Sequence, residues 1–362
     1  MIEHVIDTTE YCRHCLMCRH VAPVGNVTSR ETVTPHGVAQ LVASERRDMI
    51  EWDEDTVDAL YQFSDNGNSR AHCVTSQPLG AAVAAARAEV VEREKAPEVV
   101  YELDEKFRQW ENPYEAVAPD PPTGQGEVAV FVGDEATHLH PSTLEAALAL
   151  LEDMGIDPVL VGRGRNNGFL ASSLGLRARA RDLARATLNE VEEHGATTLV
   201  VLSPGDYYAF GQLHEERLGV PLPEGVDLVE LTQLLAREWD GAGASSTGED
   251  GSYAYVDPTH AVRVPAHFGP ARRLAEAVFH GQRRVELFRR EERAYPSGNL
   301  ALQFTHPGLA DRLTKSRLED ARDAEARRVT TVDAGSLHHL EQHASSFDLA
   351  VDGLLEAAAG RG

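Results

Sequence analysis

Lysine is nearly missing from this 362-residue chain. It has three lysines beside 31 arginines, and with 58 acidic residues the formal net charge is -24. Nucleic acid and anionic lipid are excluded as partners, because both would be repelled over most of the surface. The arginine bias fits a GC-rich genome or a salty cytoplasm. Aromatic residues make up only 6%, and no apolar run approaches the roughly 20 residues that span a bilayer. The opening MIEHVIDTTEYC lacks the basic start and apolar stretch of a signal peptide, so a cytoplasmic location is expected. Cysteine is scarce as well. Four in a chain of this length cannot form a secreted disulfide scaffold, and three of them fall within residues 12 to 18, too close for ordinary bridges. Metal binding is the reading that remains.

What is present is apolar content of 42%, enough for two or three compact domains. Residues 1–95 carry every cysteine and end in the alanine-rich helix former PLGAAVAAARAEVVEREK, which predicts a small helical domain. Residues 96–125 turn charged and then proline-rich, as a surface linker does. From 126 to 240 the runs EVAVFVG, PSTLEAALALLEDMG, DPVLVG, LRARARDLARATLNEVEEHG and ATTLVVLSPG alternate strand with helix, predicting a parallel α/β sheet. GAGASSTGEDGS at 241–252 reads as a second linker. Residues 253–362 then retrace strand, helix, strand, helix, strand through YAYVDPTH, RRLAEAVFHG, RRVELF, LADRLTKSRLEDARDAEA and RRVTTVDAG. A diverged internal repeat implies two lobes about a pseudo-dyad, their strand ends meeting at one cleft.

Cys12, Cys15 and Cys18 stand at two-residue spacings, the arrangement by which one loop ligates three irons of a cubane. The ferredoxin pattern places a fourth cysteine before a proline; here Ala22 holds that place before Pro23. In two-cluster proteins that fourth cysteine serves the other cluster, so the missing ligand comes from elsewhere, and Cys73 alone is available. Counting back from Cys73 lands on Ser69, Asn66 and Phe63, a second run stripped of its ligands. One 4Fe-4S cluster on Cys12, Cys15, Cys18 and Cys73 is therefore expected. Four thiolates also suit zinc, which usually takes them as two separated pairs. His14, His20 and His72 flank these cysteines and are placed to hydrogen-bond to cluster sulfur.

At these residues the chain resembles the iron-sulfur subunits of the heterodisulfide reductase D family, which includes those of glycolate oxidase and of anaerobic glycerol-3-phosphate dehydrogenase. ETVTPHGVAQLV at 31–42 resembles the stretch that follows the family's first cluster motif. The two α/β repeats resemble its paired cysteine-cysteine-glycine (CCG) domains. The resemblance implies a helical ferredoxin-like 4Fe-4S domain followed by two CCG-type lobes. It also implies an electron-transfer protein serving a flavin-dependent dehydrogenase or demethylase, with an electron-transferring flavoprotein or a quinone-linked carrier as acceptor. In the repeats, however, the family's cysteines are gone. Asn166, Asn167 and Gly168, then Ser203 to Asp206, stand in the first; Pro296 to Gly298, then Asp333 to Ser336, stand in the second. Thr259 replaces the cysteine of an aspartate-proline-cysteine-histidine element.

Two other readings stay open. Asp206, Asp257, His260, Asp333, His338 and His339 could gather as a hard-ligand metal site in the cleft, or Asp257 and His260 could act there as acid and base. Alternatively, the metal merely staples a scaffold or assembly protein. Arg163 and Arg165, in VGRGRNNG, match no standard phosphate loop.

Overall fold

A computed structural model describes residues 4–117, 124–239 and 251–360. The first lobe is a parallel sheet of β1 (Val128–Val132), β2 (Val159–Arg163), β3 (Thr198–Val201) and β4 (Asp227–Glu230), in the order β2-β1-β3-β4. The second lobe repeats it with β5 (Ser252–Tyr255), β6 (Arg283–Arg284), β7 (Arg328–Thr331) and β8 (Ala350–Gly353), in the order β6-β5-β7-β8. The repeat thus holds strand for strand. Each lobe also has a fourth strand and a closing helix beyond the expected pattern, because DLVE and AVDG are too short and polar to read as strands. β6 is only a remnant, its two arginines exposed.

Strand parity sorts the side chains into layers, since neighbouring residues face opposite sides of a sheet. Ala129 and Phe131 of β1, with Leu199 and Val201 of β3, join a core shared with Trp52, Leu60, Leu103 and Phe107 of the N-terminal helices. The N-terminal region is therefore continuous with the first lobe rather than a separately cored domain. Val130, Val200 and Leu202 face the other way, toward Tyr253 and Tyr255 of the second lobe. Between the sheets lie Pro141–Asp153, Leu231–Glu238, Phe268–Val278 and Leu354–Ala358. Leu231–Glu238 packs on Phe268–Val278, and its counterpart Leu354–Ala358 packs on Pro141–Asp153, the reciprocal pairing that a pseudo-dyad requires. The outer face of the second sheet, Ala254, Val256 and Val329, is covered by Leu318 and Leu340.

The expected linker at 96–125 is corrected in part. Glu98–Trp110 is a helix whose Val100, Leu103 and Phe107, spaced along one face, are fully buried. Most of the expected second linker lies outside the described residues, and Ser252 already belongs to β5. No described helix is long and apolar enough to cross a membrane.

Candidate functional site

The CRHCLMC loop cannot run on as a helix, because His14 (φ 52°) and Leu16 (φ 58°) both adopt left-handed backbone. Left-handed backbone is uncommon for residues other than glycine, asparagine and aspartate, and it breaks the chain into a turn at both places. The loop starts where the Cys12 N–H bonds to the Thr9 carbonyl and ends where Cys18 leads into the short turn Arg19–Val21. Cys73 arrives from another segment, just past the helical turn Asn68–Ala71. Cys12, Cys18 and Cys73 line one recess with His36, Ser69, Pro35 and Leu79. Cys15 is the exposed member of the set, and all four are free thiols.

These thiols share an electrostatic environment. Burial first, then the neighbouring Cys12, Cys73 and Cys15, push the Cys18 thiol up to about 11. Cys73 goes the other way. Burial raises it, but the Thr75 hydroxyl 3.4 Å away and the backbone N–H groups of Gln77, Thr75 and Ser76 outweigh burial and leave it below its ordinary value. Thiolate sulfur is a soft donor, the kind that soft metal ions and iron-sulfur clusters take. Among the described residues no three or more His, Cys, Asp or Glu side chains converge on one point as ligands of a single ion do. A cubane instead takes its thiolates at separate corners.

His36 is a neighbour that spacing alone does not reveal. It enters through Pro35–Arg46, a helix capped by Thr34, whose hydroxyl accepts from Gly37 N–H at 3.1 Å. Gly37 is required there, since a Cβ would lie 2.3 Å from the Glu31 carbonyl oxygen. That close approach brings His36 Nδ1 to 3.6 Å from Cys12 Sγ. His14 packs edge-on against His36 at 5.3 Å and His20 against His72 at 5.1 Å, so the flanking histidines form pairs around the loop. Ala22, Phe63, Asn66 and Ser69, the positions of the stripped second run, are all buried. Beside them Asn68 Nδ2 donates to the Ala294 carbonyl at 2.8 Å, and Ser64 Oγ donates to Asn66 Oδ1 at 3.2 Å. A polar network tying the helical region to the second lobe fills that ground.

The strand ends of both lobes do meet at a cleft, as the repeat implies. Asp134, Glu135, Asp206, His260 and Asp333 line it. It encloses about 80 Å³, room for a handful of waters and not for a nucleotide. Asn166 Nδ2 donates to Asp134 (2.9 Å), Asn167 Nδ2 to Asp206 (2.7 Å) and Asn299 Nδ2 to Asp333 (2.8 Å). The pseudo-equivalent loops SPGD and DAGS cap their helices in mirrored fashion. Ser203 accepts from Asp206 N–H, and Asp333 accepts from Ser336 N–H. Burial raises Asp134 to about 6 and Asp206 to about 7. It also raises Glu135 and Asp333, Glu135 further so by the charges of Asp333 and Asp134. Burial, then Arg263, lowers His260 to about 3.

The expected hard-ligand group does not assemble in full. Asp206, His260 and Asp333 share the cleft, whereas Asp257 is held by the Arg272 guanidinium through two 2.9 Å bonds and is fully buried. An acid-base pair of Asp257 and His260 is likewise not formed. His338 turns to Gln342 and His339 to Gln303. Thr259 donates to Asn299 and accepts from Ser297 N–H. Arg165 is paired with Glu111 and Glu190. Asp134 and Glu135 were missed by sequence reasoning, although VGDE directly after a buried strand is a signal for the cleft.

No protein-family model matches the chain, and no curated protein matches it. The fold is similar to that in a crystal structure of a hypothetical protein from Helicobacter pylori, with a TM-score of 0.59 at 10% identity over 89% of this chain and 67% of that one. At that identity the likeness concerns the fold alone.

Proposed function

We propose that this chain is an electron-transfer protein with one 4Fe-4S cluster on Cys12, Cys15, Cys18 and Cys73, a member of a larger oxidoreductase complex. In this reading it works in the cytoplasm, between a flavin-dependent dehydrogenase or demethylase and an acceptor such as an electron-transferring flavoprotein or a quinone-linked carrier. The observation that carries the reading is the setting of the cysteine recess. Tyr11 (70% exposed), Leu16 (41%), Met17 (48%) and Val74 (64%), each next in sequence to one of the cysteines, are four of the large apolar side chains left in solvent. Apolar side chains gathered at one place mark a surface that another protein covers. A merely structural staple would have no need to sit under such a surface.

The roles of the residues follow from their placement. Cys73, held below the ordinary thiol range, offers a ready thiolate from outside the loop, while the left-handed turns at His14 and Leu16 fold the loop back between Cys12 and Cys18. When bound, the cluster supplies one-electron transfer at a potential set by its ligands, nearby hydrogen bonds and exposure. His36 beside Cys12 and Thr75 beside Cys73 are the side chains positioned to adjust sulfur basicity. The α/β lobes, with their CCG-type cysteines replaced by hydrogen-bonded Asn, Ser, Thr and Asp, serve as scaffold and docking body.

Iron, acid-labile sulfide and zinc are to be measured on protein purified without oxygen, with EPR after dithionite reduction. About four irons and four sulfides per chain with a reducible signal are expected. Zinc without sulfide would leave a structural staple and end the electron-transfer reading.

A further inference from the structure

Next to the cysteine recess, and sharing Ser69 with it, a larger hollow opens between the helix Leu79–Glu92 and the Tyr208–Leu218 segment of the first lobe. It holds about 500 Å³, within the roughly 300–1,000 Å³ typical of small-molecule sites. Pro78, Ala81, Ala84 and Ala85 give it an apolar wall of small side chains.

Four arginines line the same hollow, in two states. Arg263 and Arg217 are committed: Asp65, only 2% exposed, takes them at 2.6 and 3.4 Å. Gly80 seals that carboxylate, since a Cβ there would lie 2.1 Å from Asp65 Oδ1. Arg263 is further fixed over the Tyr208 ring at 4.6 Å. Arg70 and Arg177 make no ion pair and no side-chain hydrogen bond with any described residue. Of the acids on the rim, Glu216 lies close enough to Arg217 to raise it, and Glu215 makes no ion pair with Arg70 or Arg177. In a chain of net charge -24, where carboxylates outnumber cations nearly everywhere, two arginines left open in the wall of a hollow are a local arrangement. A guanidinium matches phosphate and carboxylate oxygens in a two-point fork.

We infer that this hollow binds a flat small molecule ending in an oxyanion. Its apolar body lies on the alanine wall, and a terminal phosphate or carboxylate lies between Arg70 and Arg177. The inference stands on the residues of the hollow and holds whether or not a cluster occupies the cysteines.

The test is calorimetric titration of the full chain with FMN and with riboflavin, which has the same ring and no phosphate. FMN binding at least about tenfold tighter than riboflavin is expected, and the double variant Arg70→Gln, Arg177→Gln should lose that advantage while keeping its circular dichroism spectrum. Displacement of bound FMN by pyrophosphate at lower concentration than by succinate assigns a phosphate end, and the reverse order assigns a carboxylate. Failure of FMN to bind, equal binding of FMN and riboflavin, or an unchanged FMN affinity in the double variant would each overturn the inference. Because the readout is heat and not electron transfer, loss of the cluster leaves the result interpretable.

Discussion

In the cysteine loop, left-handed backbone at His14 and Leu16, exposed apolar side chains and four free thiols leave demands that the chain itself does not meet. In the cleft between the lobes, Asp134, Asp206 and Asp333 each take a hydrogen bond from an asparagine, and outside the cleft Asp257 is closed off by Arg272. Both regions are built from loops at the ends of regular elements, and both sit where related residues meet across the fold. Buried polarity alone therefore does not identify a working site. The difference is one of degree: most cleft carboxylates take a bond from an asparagine, although the buried His260 Nδ1 has no partner, whereas the loop thiols have few partners in the chain.

The sharpest way to break this contrast is to unmake the structural half. Arg272→Met strands the buried Asp257 carboxylate, and a loss of about 3–5 kcal/mol in urea unfolding is expected, with the iron content of the folded fraction unchanged. Loss of iron in that folded fraction would tie the lobes to the metal site. Gly37→Ala acts on the other half. Its methyl group meets the Glu31 and Thr32 carbonyl oxygens, so a loss of about 1–3 kcal/mol is expected, now with weaker metal retention because His36 and the recess wall shift.

A further effect comes from pH. Burial raises Asp206 from an ordinary 3.8 to about 7, so the folded state keeps a proton that the unfolded chain releases. Stability from this group is then full below about pH 4 and falls as pH rises toward 7. Asp206→Asn, which cannot ionise, should flatten that decline by about 3–4 kcal/mol in denaturation series at pH 4 and pH 8. An unchanged slope would show that Asp206 ionises freely in the fold. Least disturbing of all is Met17→Asp, which should alter stability by no more than about 0.5 kcal/mol. If the proposed function holds, reduction by a flavin-dependent dehydrogenase should nevertheless slow severalfold; an unaltered rate would place docking elsewhere.

Much of the architecture is legible in the sequence because the lobes obey simple periodicities. VAVFV, VLVGR and TLVV are short apolar runs, and each helix between them carries a clean apolar stripe. Glu98–Trp110 escapes because its charged outer face dominates the composition while only Val100, Leu103 and Phe107 pack inward. Asp257 is misplaced in the cleft because its partner Arg272 comes from the following helix, a pairing that local pattern cannot show. The meeting of Cys73 with the N-terminal loop follows from counting ligands, whereas His36 becomes visible only once the tight fit of Gly37 brings its helix against Cys12. What the sequence conveys least is satisfaction of polar groups, which depends on contacts between distant segments.

The central claim is that Cys73 belongs with the loop cysteines. Iron and sulfide content of Cys73→Ser, measured beside Cys15→Ser and the unaltered chain after anaerobic purification, tests it most directly. Both variants are expected to lose the four-iron, four-sulfide stoichiometry of the unaltered chain to a similar degree, about four of each per chain. A Cys73→Ser protein that keeps full iron and sulfide while Cys15→Ser does not would contradict the account.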